Sequence, residues 1–321
     1  MGAPHLVLGI GELLWDIVPA APPHNGSAAP GTVALLGGAS ANFTAMAGRL
    51  GNHAVILSRI GRDDLGRRAI QQLDGMSVDT SLVEIDPAHE TGRVTVEFAN
   101  DEPRYTIHEP AAWDFLSLSD EWVRLAERAD AICFGSLAQR SEPSRQTIQT
   151  IAAAAPARCI RVFDVNLRPP YISADIVRES LELATVVKMN EAELPQVLAL
   201  LGLEAAEPRG REDLLQGARR LRRCFPDLRL VAITRGSRGS LLVNSEEWDE
   251  HPGFPVAEAD GIGAGDAFTA ALVHYLLRGA PLARLNEAGN RWGSWIASQS
   301  GAMPALPDSV RETITAAIES E

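Results

Sequence analysis

The stretch Asp260-Gly-Ile-Gly263-Ala264-Gly265-Asp266-Ala267 sets glycines between two carboxylates, and an almost unbroken apolar run, Phe268 to Leu277, follows it. A glycine-dense turn that opens a buried helix is an anion site. The first amides of a helix have no intrahelical acceptor, and the aligned peptide dipoles put partial positive charge there. Gly263 and Gly265 let the backbone come close to a phosphate. Asp266 stands within reach of the same anion, either as a favourable helix-end carboxylate or as a base working beside phosphate.

A second group lies near the start of the chain. Asp16, between Trp15 and Ile17, is either the outward residue of an alternating strand or an acceptor for sugar hydroxyls. Gly37 and Gly38 precede Asn42 and a helical stretch, Ala41 to Leu50; an amide side chain both donates and accepts, which suits a polyol. Three polar loops complete the set: Asp164-Val-Asn166-Leu-Arg168, Lys188-Met-Asn190-Glu191-Ala-Glu193, and Thr234-Arg-Gly236-Ser-Arg-Gly239. Each follows a predicted strand. Ligands in open α/β sheets sit beyond the carboxyl ends of the strands, so the three predict one shared cleft.

The elements that must position these residues alternate. Leu6 to Ile10 reads as a buried strand. Gly9-Ile-Gly11 suggests a dinucleotide fingerprint, but Leu14 occupies its third glycine position, and Trp15 to Pro19 reads as extended, where a helix would have to start. Residues 19 to 33 read as a loop. Ala54 to Ile60 reads as a strand and Asp64 to Leu73 as a helix. Arg93 to Phe98 alternates with period two, and residues 104–108 read as its hairpin partner across 100–103. This ribbon, about residues 89–113, together with about 12–33 predicts a small β lid; a lid shields a phosphoryl donor from water. Helices near 120–129, 143–154, 174–183 and 191–201 then alternate with strands 131–134, 160–164 and 184–188. Leu230 to Ile233 is a further strand, Pro281 to about Ser300 a helix, and 308–321 a closing helix. The pattern predicts one α/β domain over residues 1–321, built on a doubly wound, mostly parallel sheet.

A formal charge of −13 on 321 residues excludes a general nucleic-acid or membrane-surface binder, which needs a basic footprint. Cys133, Cys159 and Cys224 are widely spaced and odd in number. They read as buried thiols of a cytoplasmic protein, and no secretory leader or span is expected.

With Gly37-Gly38…Asn42 near one end and Asp260-x-x-Gly-Ala-Gly-Asp266 near the other, the chain resembles the ribokinase-like (PfkB) carbohydrate kinases over nearly its whole length. Lesser motifs recur in the same order: Gly61-Arg-Asp-Asp64-Leu-Gly66, Asp164-Val-Asn-Leu-Arg168-Pro, Asn190-x-x-Glu193, Thr234-Arg-Gly236 and Gly301-Ala-Met-Pro-Ala-Leu-Pro307. Gly11-Glu12-Leu-Leu-Trp-Asp16 looks most like the fructokinase branch. The resemblance implies transfer of the ATP γ-phosphate to a sugar hydroxymethyl group, with Asp266 as base and Gly263, Ala264 and Gly265 as anion hole. Asp16, Gly37, Gly38 and Asn42 would hold sugar hydroxyls, and Arg168 would face sugar or phosphate. Lys188, Asn190 and Glu193 would serve Mg²⁺ and the phosphates; Thr234, Gly236, Gly239 and Asn290 would serve the nucleotide. Asp260, Ile262, Ile296, Gln299 and Gly301 are the candidates for a K⁺ site. Gly261 stands where the family usually has Thr, which implies an altered loop. Fructose is the expected substrate. The alternatives are 2-keto-3-deoxygluconate, with Arg168 as its countercharge, a nucleoside held by Phe98 and Tyr105, and a catalytically silent sugar sensor. Exposed lid strands also suggest a homodimer.

Overall fold

The computed structural model describes residues 3–19, 31–99, 102–204, 207–257 and 259–319, with the backbone only for 97–99 and 102–104. Nine strands form the central sheet. In spatial order they are Trp248–His251, Ser240–Val243, Leu230–Thr234, Val186–Asn190, Ile160–Asp164, Ala131–Gly135, Leu6–Ile10, His53–Leu57 and Val78–Asp79. All pairs are parallel except the two that join Leu230–Thr234, Ser240–Val243 and Trp248–His251.

Alternate strand residues go to opposite faces, which is the period-two geometry of a strand. Leu8, Phe134 and Phe163 join the apolar layer under helices Glu142–Ala154, Ala174–Leu183, Glu193–Leu200 and Arg211–Cys224. Val7, Cys133 and Val162 join the layer under Ala39–Arg49, Ala264–Leu276 and Leu282–Ala297. Both faces are therefore covered, which is why these strands read as continuous apolar runs. Gly9 belongs to this packing and to no nucleotide loop: a Cβ there would lie 2.0 Å from Thr44 Oγ1, so its absence lets helix Ala39–Arg49 lie on the strand.

The second sheet has the order Thr32–Gly37, Leu14–Pro19, Gly92–Ala99, Glu102–Ile107. The expected ribbon is present, with a strand more than the sequence suggested. Thr32–Gly37 pairs antiparallel with Leu14–Pro19, so Pro19, Thr32 and Val33 of the expected 19–33 loop are strand, while Gly31 is outside any strand; residues 20–30 lie outside the described residues. A short Thr-Val-Ala-Leu-Leu-Gly run has no signal of its own until a partner is beside it. Glu102 and Pro103 belong to the strand rather than to the turn, and the connecting Asn100 and Asp101 lie outside the described residues.

Other boundaries move for physical reasons. The expected strand 54–60 breaks at Ser58, whose hydroxyl donates to the Gly11 carbonyl at 2.7 Å, and Arg59–Gly61 pairs instead with Glu84–Asp86. The strand placed at 184–188 is Val186–Asn190, because its register is set by Leu230–Thr234, with Asn190 opposite Thr234. The hairpin Ser240–Val243/Trp248–His251 went unread. Cys224, at the end of Arg211–Cys224, is exposed, unlike buried Cys133 and Cys159. Among the described residues no helix is long and apolar enough to cross a membrane.

Candidate active site

Helix Ala264–Leu276 is buried from Asp266 to Tyr275, while Gly263, Ala264 and Gly265 at its start are half-buried. It begins at Gly263, φ 77°, with no side-chain cap. A Cβ on Gly263 would lie 2.8 Å from Ala302 Cα, so the turn and the segment after Gly301 pack backbone to backbone. That contact explains the position of the Gly301-Ala-Met-Pro motif. The amides of Gly265 and Asp266 meet no acceptor among the described residues, while Ala264 and Ala267 donate to Gly261 and Gly263. Unpartnered amides at a helix start can receive an anion, but of the three amides expected to form the hole, Gly263, Ala264 and Gly265, that of Ala264 is already engaged by the Gly261 carbonyl.

Asp266 is 9% exposed, and its Oδ2 accepts from Asn42 Nδ2 at 2.7 Å. Burial, reinforced by the nearby Asp164 carboxylate, pushes its carboxyl up to about 6, against the opposing pull of Lys188, the Asn42 bond and Arg168. Asn42 is carried one turn into helix Ala39–Arg49, so residues far apart in the chain meet at this contact.

Beside the glycine turn, Lys188 Nζ donates to Asp164 Oδ1 and Oδ2 at 3.1 and 3.2 Å. The pair is held by strand register, Asp164 lying directly opposite Lys188. Thr269 Oγ1, one turn below Gly265, lies 3.0 Å from Asp164 Oδ2 and 2.9 Å from the Gly265 carbonyl, and its single proton can be given to either. A Cβ on Gly265 would lie 2.7 Å from Lys188 Nζ, which places the ammonium against the glycine turn. Although burial opposes the charge, Asp164, Asp266 and Glu193 raise the lysine above its ordinary value, so Lys188 stays protonated.

On the other side lie the residues singled out for a polyol. Asp16 is pushed up to about 6 by burial, against the pull of Arg168. Gly37 lies on Asp16, since a Cβ there would be 2.6 Å from Asp16 Oδ2. Gly38, φ 102°, has room for no Cβ against the Glu12 carbonyl, 2.5 Å away. Arg168 is exposed, has no ion-pair partner among the described residues, and its charge acts on Asp16, Glu12 and Asp266. Glu12, Asp164 and Thr269 had no role in the sequence reading. Glu12 and Asp164 stood inside motifs, but Thr269 was one residue of an apolar helix and carried no signal.

The nucleotide candidates are more dispersed. Glu193 accepts from the amides of Leu167 and Asn190 at 2.8 and 2.7 Å, and Asn190 Oδ1 accepts from the Glu193 amide at 2.9 Å. Burial leads the influences on Glu193 and raises its carboxyl. The Asn-x-x-Glu spacing therefore ties the strand end Asn190 to the Arg168 loop. Thr234 ends its strand and donates to the Met189 carbonyl at 3.4 Å; Gly236 and Gly239, with φ 58° and 77°, shape the next turn. Asn290 is buried: its Nδ2 donates to Ser240 Oγ and the Asn286 carbonyl at 2.7 and 2.8 Å, so it supports that turn from below.

Neither metal expectation finds a preformed cage. Among the described residues no three His, Cys, Asp or Glu side chains are grouped to hold an ion. Both Glu193 oxygens accept backbone amides, so this carboxylate would serve a Mg²⁺ only through that ion's own water, which the ion gives up reluctantly, and would supply negative charge near it. The loop assigned to K⁺ fits less well. Asp260 Oδ1 accepts from the Ile262 amide and Oδ2 from the Gly301 amide, at 3.0 and 2.7 Å, so its carboxylate already clamps the loop shut. The Ile296 carbonyl accepts from the Gln299 amide at 2.9 Å.

The pfkB family carbohydrate kinase profile matches residues 5–309. The chain belongs to this family. The uncharacterized sugar kinase PH1459 of Pyrococcus horikoshii, solved in complex with ATP, is 28% identical, with a TM-score of 0.77 over 93% of this chain and 94% of that one. Fructokinase-1 of Oryza sativa is 29% identical over 96% of this chain and 97% of its own. Fructokinase of Vibrio cholerae, solved with fructose, ADP and calcium, is 25% identical, with a TM-score of 0.77 over 97% of this chain and 99% of that one. The protein is thus an ATP-dependent carbohydrate kinase with the ribokinase-like α/β fold.

Proposed function

We propose that this kinase phosphorylates a hydroxymethyl group of fructose, with Asp266 as general base. The observation that carries the reading is the buried Asp266 carboxylate at the start of a helix whose Gly265 and Asp266 amides meet no acceptor among the described residues, with the Lys188 ammonium against the same turn. In the proposed step Asp266 takes the proton of the attacking hydroxyl, and the sugar oxygen bonds to the γ-phosphorus. The bond to the bridging oxygen breaks, and that oxygen leaves with ADP. Charge on the moving phosphoryl group meets these two amides and Lys188, the electrostatic contribution expected to dominate. Mg²⁺ supplies charge neutralisation between the phosphates when bound. The reading does not use K⁺.

Fructose is favoured over an acidic sugar by the charge around the acceptor side. Arg168 already acts on three carboxylates, Asp16, Glu12 and Asp266, so a substrate carboxylate would add to a net negative site. The fructokinase relatives point the same way. For a nucleoside slot, Tyr105 is 64% exposed on the lid strand, and the Phe98 side chain lies outside the described residues. The free thiols Cys133, Cys159 and Cys224 suit a reducing cytoplasm.

The test is ADP release with fructose, ribose, ketodeoxygluconate, glucose and adenosine, with and without K⁺, for wild type and Asp266→Asn. We expect fructose to give the highest kcat/KM and Asp266→Asn to lower kcat by about two to four orders of magnitude. Turnover of the variant within a fewfold of wild type removes Asp266 as base. A sugar that raises the melting temperature without any ADP release makes the protein a sensor.

A further inference from the structure

Helix Ala39–Arg49 has no side-chain cap of its own, because its N-cap residue is Gly38. The missing acceptor comes from Glu12: its Oε1 accepts from the Ala39 amide at 3.0 Å. Glu12 lies just past the strand Leu6–Ile10 and is 2% exposed. Among the described residues its buried Oε2 meets no hydrogen-bond partner, and neither does the buried Asn42 Oδ1 on the helix it caps. The two segments are fastened twice more. Ser40 Oγ donates to the Ile10 carbonyl at 3.0 Å, and Gly38 rests on the Glu12 carbonyl closely enough to exclude any Cβ. One turn on, Asn42 holds Asp266 at 2.7 Å.

We propose that Glu12 is a positioning residue for phosphoryl transfer: by capping Ala39 it fixes Asn42, and through Asn42 it aims the Asp266 carboxylate. The inference rests on Asp266 as base. Burial pushes the Glu12 carboxyl up to about 7, with Asp266 acting in the same sense and Arg168 and the backbone amides opposing. Asp266 from the site helix and Arg168 from the loop after Ile160–Asp164 are the charged groups that act on it. In the acid form Oε2 becomes a donor and ceases to be an orphaned acceptor, and no second negative charge stands beside the base. A glutamine reproduces both properties: it keeps an acceptor for Ala39 and has no charge.

The experiment compares Glu12→Gln, Glu12→Ala and Asp266→Asn by steady-state kinetics from pH 5 to 9. Glu12→Gln is expected to keep kcat within about threefold of wild type. Glu12→Ala is expected to lose at least tenfold in kcat with the KM for ATP unchanged within twofold. The acid limb of its kcat profile should also lie at higher pH than that of Glu12→Gln, because the Asn42 bond holds the Asp266 carboxyl down. The proposal is overturned if the alanine variant keeps wild-type kcat, if glutamine loses as much as alanine, or if the two acid limbs coincide. Should Asp266→Asn turn over normally, the base assignment fails whatever Glu12 does. Should it be inactive while Glu12→Ala is normal, only the role of Glu12 falls.

Discussion

Asp266 carries opposite demands, and its titration exposes both. As the proposed base it must be ionised, so kcat is expected to fall as pH drops through about 6, the value to which burial and Asp164 raise it. For stability the sign is reversed. A carboxyl raised from 3.8 to about 6 binds its proton more tightly in the folded chain, so its favourable contribution is complete below 3.8 and is lost as pH rises through about 6. Asp266→Asn should therefore melt higher than wild type at pH 7.5, by the equivalent of about 3 kcal/mol, with the gain vanishing towards pH 4. Differential scanning calorimetry across that range checks it; an equal shift at every pH would mean that the charge is not the cause. The residue's type and helix-end position were legible from Gly263-Ala-Gly-Asp266. Its partners Asn42, Asp164 and Lys188 come from three other segments, and only folding shows which carboxylates share a field.

At the scale of elements, the presence of Gly261, which stands where the resemblance to the family implies Thr, has a backbone cause. Gly261 has φ 66°, in the left-handed region where a β-branched residue is disfavoured. Restoring the threonine usual in the family should therefore harm this protein: Gly261→Thr is expected to lower stability by about 1–2 kcal/mol and to reduce kcat, as the Asp260 clamp on Ile262 and Gly301 is displaced. Thermal melting and kinetics of the variant decide it, and a higher melting temperature would show that the loop accepts a β-carbon. The element pattern itself was largely readable. Strands Leu6–Ile10 and Ile160–Asp164 and helix Ala174–Leu183 lie where apolar runs and periodicity put them. What escaped were short strands that exist through their partners, Thr32–Gly37 and the Ser240–His251 hairpin, and the shift of Val186–Asn190, a matter of register.

Over the whole molecule, the residues proposed for the acceptor come from the small sheet and the helix that follows it. Leu14–Pro19 carries Asp16, Thr32–Gly37 ends in Gly37, and the next helix presents Asn42. The outer strands of that sheet expose Val33 and Tyr105, at 43% and 64%, and an exposed strand edge is a template for pairing with another chain. On that basis we expect a homodimer formed through the small sheets. Light scattering should give twice the 34.4 kDa chain mass, and Tyr105→Lys should shift it towards the monomer. A monomer at all concentrations would count against the pairing.

The chemistry, the alternation of strand and helix, and the glycine turn facing an anion are properties of local sequence, because residue type and spacing along one element determine them. Tertiary structure alone decided what lies across the cleft. It set Asn42 against Asp266, drew Lys188 to Asp164 through strand register, and turned Asn290 and Glu193 towards backbone and neighbouring side chains. It also made Glu12 the cap of a helix that begins far along the chain, since a buried amide takes whichever acceptor the packing brings to it.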